Sequence, residues 1–99
     1  MKRTREEVLK LLETNSHAIK TYGVRRLGLF GSWARGEGTE DSDLDFIVEF
    51  EQKSFDAYMD LKIFLEQLFG CQVDPVLENT IKPRLRRTIL SETIHASGL

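Results

Sequence analysis

Two aspartates two residues apart open the run Asp43-Leu44-Asp45-Phe46-Ile47-Val48. On a strand, residues i and i+2 point to the same face, with Cα atoms roughly 6.6 Å apart from two rises of about 3.3 Å. Both carboxylates can then reach one small cation or a close pair. Side by side they repel, so the arrangement is costly unless a cation or solvent offsets it. Mg²⁺ suits such donors, because it shares its oxygen ligands between carboxylates and substrate phosphates. Upstream, Gly31-Ser32 breaks an apolar run. A glycine lets a phosphate approach the backbone, and Ser32 offers a hydroxyl and an N–H where a short helix would aim further N–H groups at an anion. If the strands on either side of this loop pair antiparallel, the phosphate cradle and the metal carboxylates face each other at one sheet edge. Asp74 is the third carboxylate. Pro75 behind it disfavours the helical region and holds it extended. Three carboxylates from two strands can hold two cations, one activating an attacking hydroxyl and the other steadying a triphosphate and its leaving oxygen. Asp74 is also the natural acceptor for the nucleophile's proton.

Plainer roles exist for each residue taken alone. An isolated Asp-x-Asp reads as a solvated strand start, Ser32 as a helix cap, and Asp74 as a turn residue. The three together, at these spacings, favour the metal-and-phosphate reading. Trp33 reads as a packing residue. Arg35 can pair with Glu37 or a neighbouring carboxylate, or touch phosphate, and both roles remain open.

The elements that must hold these residues follow from periodicity and punctuation. Thr4-Arg5-Glu6-Glu7 fits a capping box, and Val8, Leu11, Leu12, Ala18, Ile19 and Tyr22 recur at helical spacing. A first helix over 5–22 is therefore expected, stopped by Gly23. Val24–Phe30 reads as a strand, Trp33–Arg35 as a short helix, and 36–40 as a loop. Asp43–Phe50 is a second strand. Ser54 caps a helix over 55–69, with Tyr58, Leu61, Leu65 and Leu68 among its apolar positions and Gly70 at its end. Cys71–Leu77 is a third strand, and Pro75, which removes one ladder donor, puts it at an edge or ends it there. A last helix over 83–94 begins near Pro83, and the tail from Ala96 is expected to fray. His17 and His95 read as surface or packing residues on helices, and Cys71 as a small core residue. The fold class expected is α/β (α+β), a small mixed sheet of about three strands flanked by helices, with residues 1–99 as one domain.

The composition is that of a globular protein, with 40% hydrophobic and 30% charged residues in 99. No apolar run approaches a membrane span, and the first residues do not form a secretory signal. Cys71 is the only cysteine, which excludes an internal disulfide and a cysteine zinc cluster. A cytoplasmic location is the resulting expectation. The net charge is −2, a poor basis for general nucleic-acid binding, but the charges are segregated. Glu37, Glu40, Asp41, Asp43, Asp45, Glu49 and Glu51 follow one another with no basic residue between them, while Lys82, Arg84, Arg86 and Arg87 cluster near the other end.

Gly31-Ser32, ten intervening residues and Asp43-x-Asp45 resemble the signature of the DNA polymerase β-like nucleotidyltransferase superfamily, and Asp74 in Val73-Asp74-Pro75 matches the position of its third carboxylate. The closer resemblance is to the minimal nucleotidyltransferases, the antitoxins encoded beside HEPN-domain toxins. It rests on Phe30-Gly31-Ser32-Trp33-Ala34-Arg35-Gly36-Glu37, on Ser42-Asp43-Leu44-Asp45-Phe46-Ile47-Val48 and, in support, on the segment 81–90. The resemblance covers about residues 24–94. It implies a polymerase β-like fold and transfer of AMP from ATP, with Mg²⁺, to a tyrosine of a cognate HEPN-type RNase toxin, which is thereby silenced. Asp43, Asp45 and Asp74 would bind the metal, and Gly31 and Ser32 the triphosphate. Larger relatives carry further domains for the nucleobase or the acceptor, and none is expected here, so the acceptor surface is expected from a partner in a hetero-oligomer. Lys82, Arg84, Arg86 and Arg87 are then candidates for contacting the toxin or the triphosphate. Two other functions compete: a toxin-binding antitoxin that does not catalyse, and a nucleotidyltransferase for a small hydroxylated acceptor.

Overall fold

Thr4 starts the first helix by accepting a hydrogen bond from the Glu7 N–H at 3.1 Å, which satisfies one of the free donors of the first turn. The computed structural model describes residues 4–39, 42–52 and 54–99. Helix α1 (Arg5–Thr14) ends at Asn15, earlier than the apolar spacing predicts. Asn15 leaves the helical region, at φ −102° and ψ 15°, and its Nδ2 donates to the Leu11 carbonyl at 2.8 Å. An asparagine amide competes with the backbone for such carbonyls, so the single helix expected to reach Tyr22 becomes two, α1 and α2 (Ser16–Lys20).

Among the described residues four strands make one sheet: β1 (Val24–Phe30), β2 (Leu44–Phe50), β3 (Val73–Leu77) and β4 (Ile94–His95), in the order β3-β2-β1-β4. The β1–β2 and β1–β4 pairs are antiparallel and β2–β3 is parallel. Between β2 and β3 runs α3 (Phe55–Phe69), capped by Ser54 Oγ, which accepts from the Ala57 N–H at 2.9 Å, and closed by Gly70. A turn of 3₁₀ helix, Glu78–Thr80, leads to α4 (Pro83–Glu92).

The two sheet faces differ. Leu27 and Leu29 of β1 and Leu44, Phe46 and Val48 of β2 are buried with Val8, Leu12, Ile19, Leu61, Leu65 and Phe69 in one apolar cluster. The Phe46 and Phe69 rings stack within it at 5.8 Å. On the other face Gly28, Ile47 and Val76 stand in line across β1, β2 and β3. Here Thr93 lies over Gly28: a Cβ on Gly28 would come within 2.5 Å of Thr93 Cγ2. Helix α4 has no buried residue.

The fourth strand is the main departure from the expected count of about three. Ile94 and His95 pair with Leu29 and Gly28, and the Ala96 N–H donates to the Leu27 carbonyl at 3.0 Å. Ala96 is 3% exposed, so the chain is anchored where fraying was expected. The last helix stops two residues early to allow this, and His95 sits on a strand and not on a helix. Residues 33–35 form a single turn in place of the expected short helix. Asp43 precedes β2, and Cys71 precedes β3 in a bend, partly buried. Among the described residues no helix is long and apolar enough to cross a membrane.

Candidate active site

Antiparallel β1 and β2 return the chain to its starting edge, so the end of β1 meets the start of β2. In register, Phe30 faces Asp45 and Asp45 faces Asp74. These three residues form one row across the sheet, one step beyond the Gly28–Ile47–Val76 row and on the same face. Adjacent strands lie about 4.8 Å apart, which makes Asp45 and Asp74 close neighbours. Asp43 and Asp74 are exposed and Asp45 is partly buried.

This crowding has an electrostatic consequence. Burial pushes the Asp45 carboxyl up from its ordinary value, the charges of Asp74 and then Asp43 push it further, and Arg35 opposes them. Desolvation and like charge both disfavour the ionised form. Among the described residues no three Asp, Glu, His or Cys side chains close around a common point. Asp45 and Asp74 are therefore neighbours in a row, with Asp43 two residues before Asp45, and not a cage. Their donors are oxygens throughout, which fits a hard cation. Mg²⁺ commonly takes one or two carboxylates and fills its octahedron with phosphate oxygens and water, so a row of this kind suits it.

Gly31 turns the chain out of β1 with φ +78°, a region that only glycine enters without cost. Its missing side chain leaves room for Asp45: a Cβ on Gly31 would overlap Asp45 Oδ2 and stand 3.2 Å from Cγ. Behind it the Arg35 N–H donates to the Gly31 carbonyl at 3.2 Å and the Glu37 N–H to the Ser32 carbonyl at 2.8 Å, closing the turn that carries Ser32. Trp33 is buried and its Nε1 donates to the Ser42 carbonyl at 3.3 Å, tying this turn to the residue before Asp43. Ser42 Oγ in turn accepts from the Thr39 N–H at 3.1 Å.

Arg35 takes the carboxylate option that its neighbours offered. Its Nε donates to Glu37 at 2.9 Å and its Nη1 to Glu92 at 3.3 Å. The Glu37 hydrogen bond is the main reason its guanidinium is held above its ordinary pKa. Glu92, at the end of α4, was not singled out from the sequence; nothing in its local context marks a partner 57 residues away. Of the basic cluster, Arg86 bonds Glu78 through its carbonyl at 3.1 Å and its carboxylate at 3.5 Å, while Lys82, Arg84 and Arg87 are exposed.

The outer side of β3 holds three more residues that pattern reading missed. Tyr58 Oη donates to the Pro75 carbonyl at 2.7 Å. Lys62 Nζ donates to the Val73 carbonyl at 3.0 Å and to Glu66 Oε2 at 3.1 Å. That same Glu66 oxygen accepts from the Val73 N–H at 3.3 Å. The Lys62 bond first, then the Val73 N–H, hold the Glu66 carboxyl below its ordinary value. Their spacing of four was the available signal, but Tyr58 counted toward the apolar stripe.

A family model described as nucleotidyltransferase domain matches residues 5–95. The protein adenylyltransferase MntA of Thermococcus cleftensis is 37% identical over 94 residues, 93% of this chain and 95% of its own. A candidate minimal nucleotidyltransferase of solved structure superposes with a TM-score of 0.72 at 42% identity, over 87% of this chain and 93% of that one. An MNT antitoxin in complex with a tri-AMPylated HEPN toxin of Shewanella oneidensis shares the fold, with a TM-score of 0.64 at 18% identity over 92% of this chain and 73% of that one.

Proposed function

Since the chain belongs to the nucleotidyltransferase domain family and is a nucleotidyltransferase, we propose that it moves AMP from ATP to a tyrosine of a HEPN-type RNase toxin in the cytosol and so neutralises it. The observation that carries this reading is the cross-strand pairing of Asp45 with Asp74 beside Gly31-Ser32. Gly31 and Ser32 would receive the triphosphate, through the space that glycine leaves and the hydroxyl and N–H of Ser32. Asp43, Asp45 and Asp74 would hold Mg²⁺, in one or two ions, which supplies charge stabilisation to the transferring phosphoryl group. The acceptor oxygen would attack the α-phosphorus, the bond from that phosphorus to the bridging oxygen would break, and pyrophosphate would leave. Asp74, exposed on the edge strand, would take the hydroxyl proton. Arg35 would exchange a carboxylate partner for phosphate.

A protein acceptor is supported by the likeness to the protein adenylyltransferase MntA, and a toxin by the AMPylated HEPN toxin in the complex of similar fold. The exposed Lys82, Arg84 and Arg87 of α4 would meet an acidic patch of that partner in a hetero-oligomer. The test is intact-mass analysis of the toxin from the adjacent gene after co-expression with wild type or with Asp43→Asn. The expected result is a mass gain of one or more AMP units with wild type only. An unmodified toxin beside the active chain counts against the reading, and full neutralisation by Asp43→Asn would replace catalysis with contact.

A further inference from the structure

Asp74 sits on an edge strand, where half of the backbone groups have no neighbouring strand to pair with. In the order β3-β2-β1-β4 that open side belongs to β3. Peptide groups alternate along a strand, so Val73 and Pro75, on either side of Asp74, turn their backbone toward it. Helix α3 lines this side with Tyr58, Lys62 and Glu66, four residues apart and therefore on one stripe. Four helical residues advance about 6 Å and two strand residues about 6.6 Å, so the two repeats nearly match. Lys62 and Glu66 take the carbonyl and the N–H of Val73, and Tyr58 takes the carbonyl of Pro75. Pro75 has no N–H to satisfy, which lets it stand at this outward position.

We propose that Tyr58, Lys62 and Glu66 serve as a surrogate neighbouring strand, and are the positioning residues that hold Asp74 in its row with Asp45. The proposal rests on the reading of Asp74 as a site carboxylate. Asp74 itself makes no part of the clamp; the residues before and after it are fixed, and it is carried between them. An edge tied down only for stability would use the same bonds, so the test must read the site.

Tyr58→Phe removes one hydrogen bond without changing shape, Lys62→Met removes the donor to Val73, and Lys62→Arg retains one. Transfer from Mg²⁺–ATP to the acceptor toxin is measured well below each melting transition, alongside amide hydrogen exchange at Val73 and Asp74. Tyr58→Phe and Lys62→Met should lower kcat roughly three- to tenfold, the scale of one net hydrogen bond. KM for ATP should stay within about twofold, exchange at both amides should quicken, and Lys62→Arg should stay near wild type. Unchanged exchange would overturn the clamp. Faster exchange with wild-type kcat, or a rise in KM for ATP that accounts for the whole loss, would overturn its role in placing Asp74. A wild-type chain that transfers nothing would instead overturn the reading beneath it.

Discussion

Gly31→Ala should disable the enzyme while leaving it folded. Two effects act at this position and the structure separates them. The first is backbone strain: Gly31 has φ +78°, and a residue with a Cβ pays about 1–2 kcal/mol to stay there. The second is steric. The new methyl would overlap Asp45 Oδ2 and press on Cγ at 3.2 Å, and relief requires the carboxylate to move by about 1 Å. A misplacement of that size in a reacting geometry costs on the order of 100-fold in rate. Gly23→Ala is the control, because Gly23 has φ +83° with no heavy atom within 4 Å of the added Cβ. Both variants should lose similar stability in thermal melts, while AMP transfer falls about 100-fold in Gly31→Ala alone. Turnover within a fewfold of wild type in Gly31→Ala would refute the placement of Asp45 in the site. Equal losses in both variants would assign the defect to strain.

The raised pKa of Asp45 means that its ionised form opposes folding. Stability linked to it is fully present below the unfolded value of about 3.9 and is lost as pH rises through the higher folded value. Asp45→Asn should therefore raise the Tm of the metal-free chain near pH 7, by roughly 4–8 °C for each kcal/mol of desolvation and repulsion removed, and the gain should close in acid. A Tm gain that persists below that range would detach it from the titration of Asp45. Mg²⁺–ATP should stabilise wild type by about 2.7 kcal/mol at 100 times its Kd and leave Asp43→Asn unmoved; an equal shift in both would remove Asp43 from the site. Ala96→Glu should cost about 2–4 kcal/mol in urea unfolding by burying an unpaired charge, since Ala96 is 3% exposed; a neutral result would return this segment to solvent.

Sequence reading went furthest where one element suffices. Strand β1 and helix α3 with its Ser54 cap and Gly70 stop follow from local periodicity and backbone chemistry, and of the two places open to Pro75, an edge or a strand end, the fold takes the edge. The break at Asn15 did not, because the apolar spacing continues through it and only the asparagine amide interrupts the helix. Strand β4 is two residues long and exists through its pairing with Gly28 and Leu29, about 65 residues away; no window of sequence contains that contact. The site divides in the same way. The candidate residues Gly31, Ser32, Asp43, Asp45 and Asp74 were legible from type and spacing. The Asp45–Asp74 register, the partnership of Arg35 with Glu92 and the clamp around Val73 depend on how strands and helices meet.

Helix α3 also governs how this protein can be approached. A bare edge strand invites a foreign strand to add itself, which is a common mode of recognition and a route to aggregation. Along β3 a newcomer would first have to extract Tyr58, Lys62 and Glu66 from the backbone groups they occupy. On the opposite flank, β4 already occupies Gly28 and Leu29. Sheet extension is thus blocked along β3, the margin that carries Asp74, while on the other flank the edge passes from β1 to the two-residue β4. At the β3 margin an acceptor must be met by side chains and loops, and a chain that lent its β3 edge to an acceptor would need a different third helix.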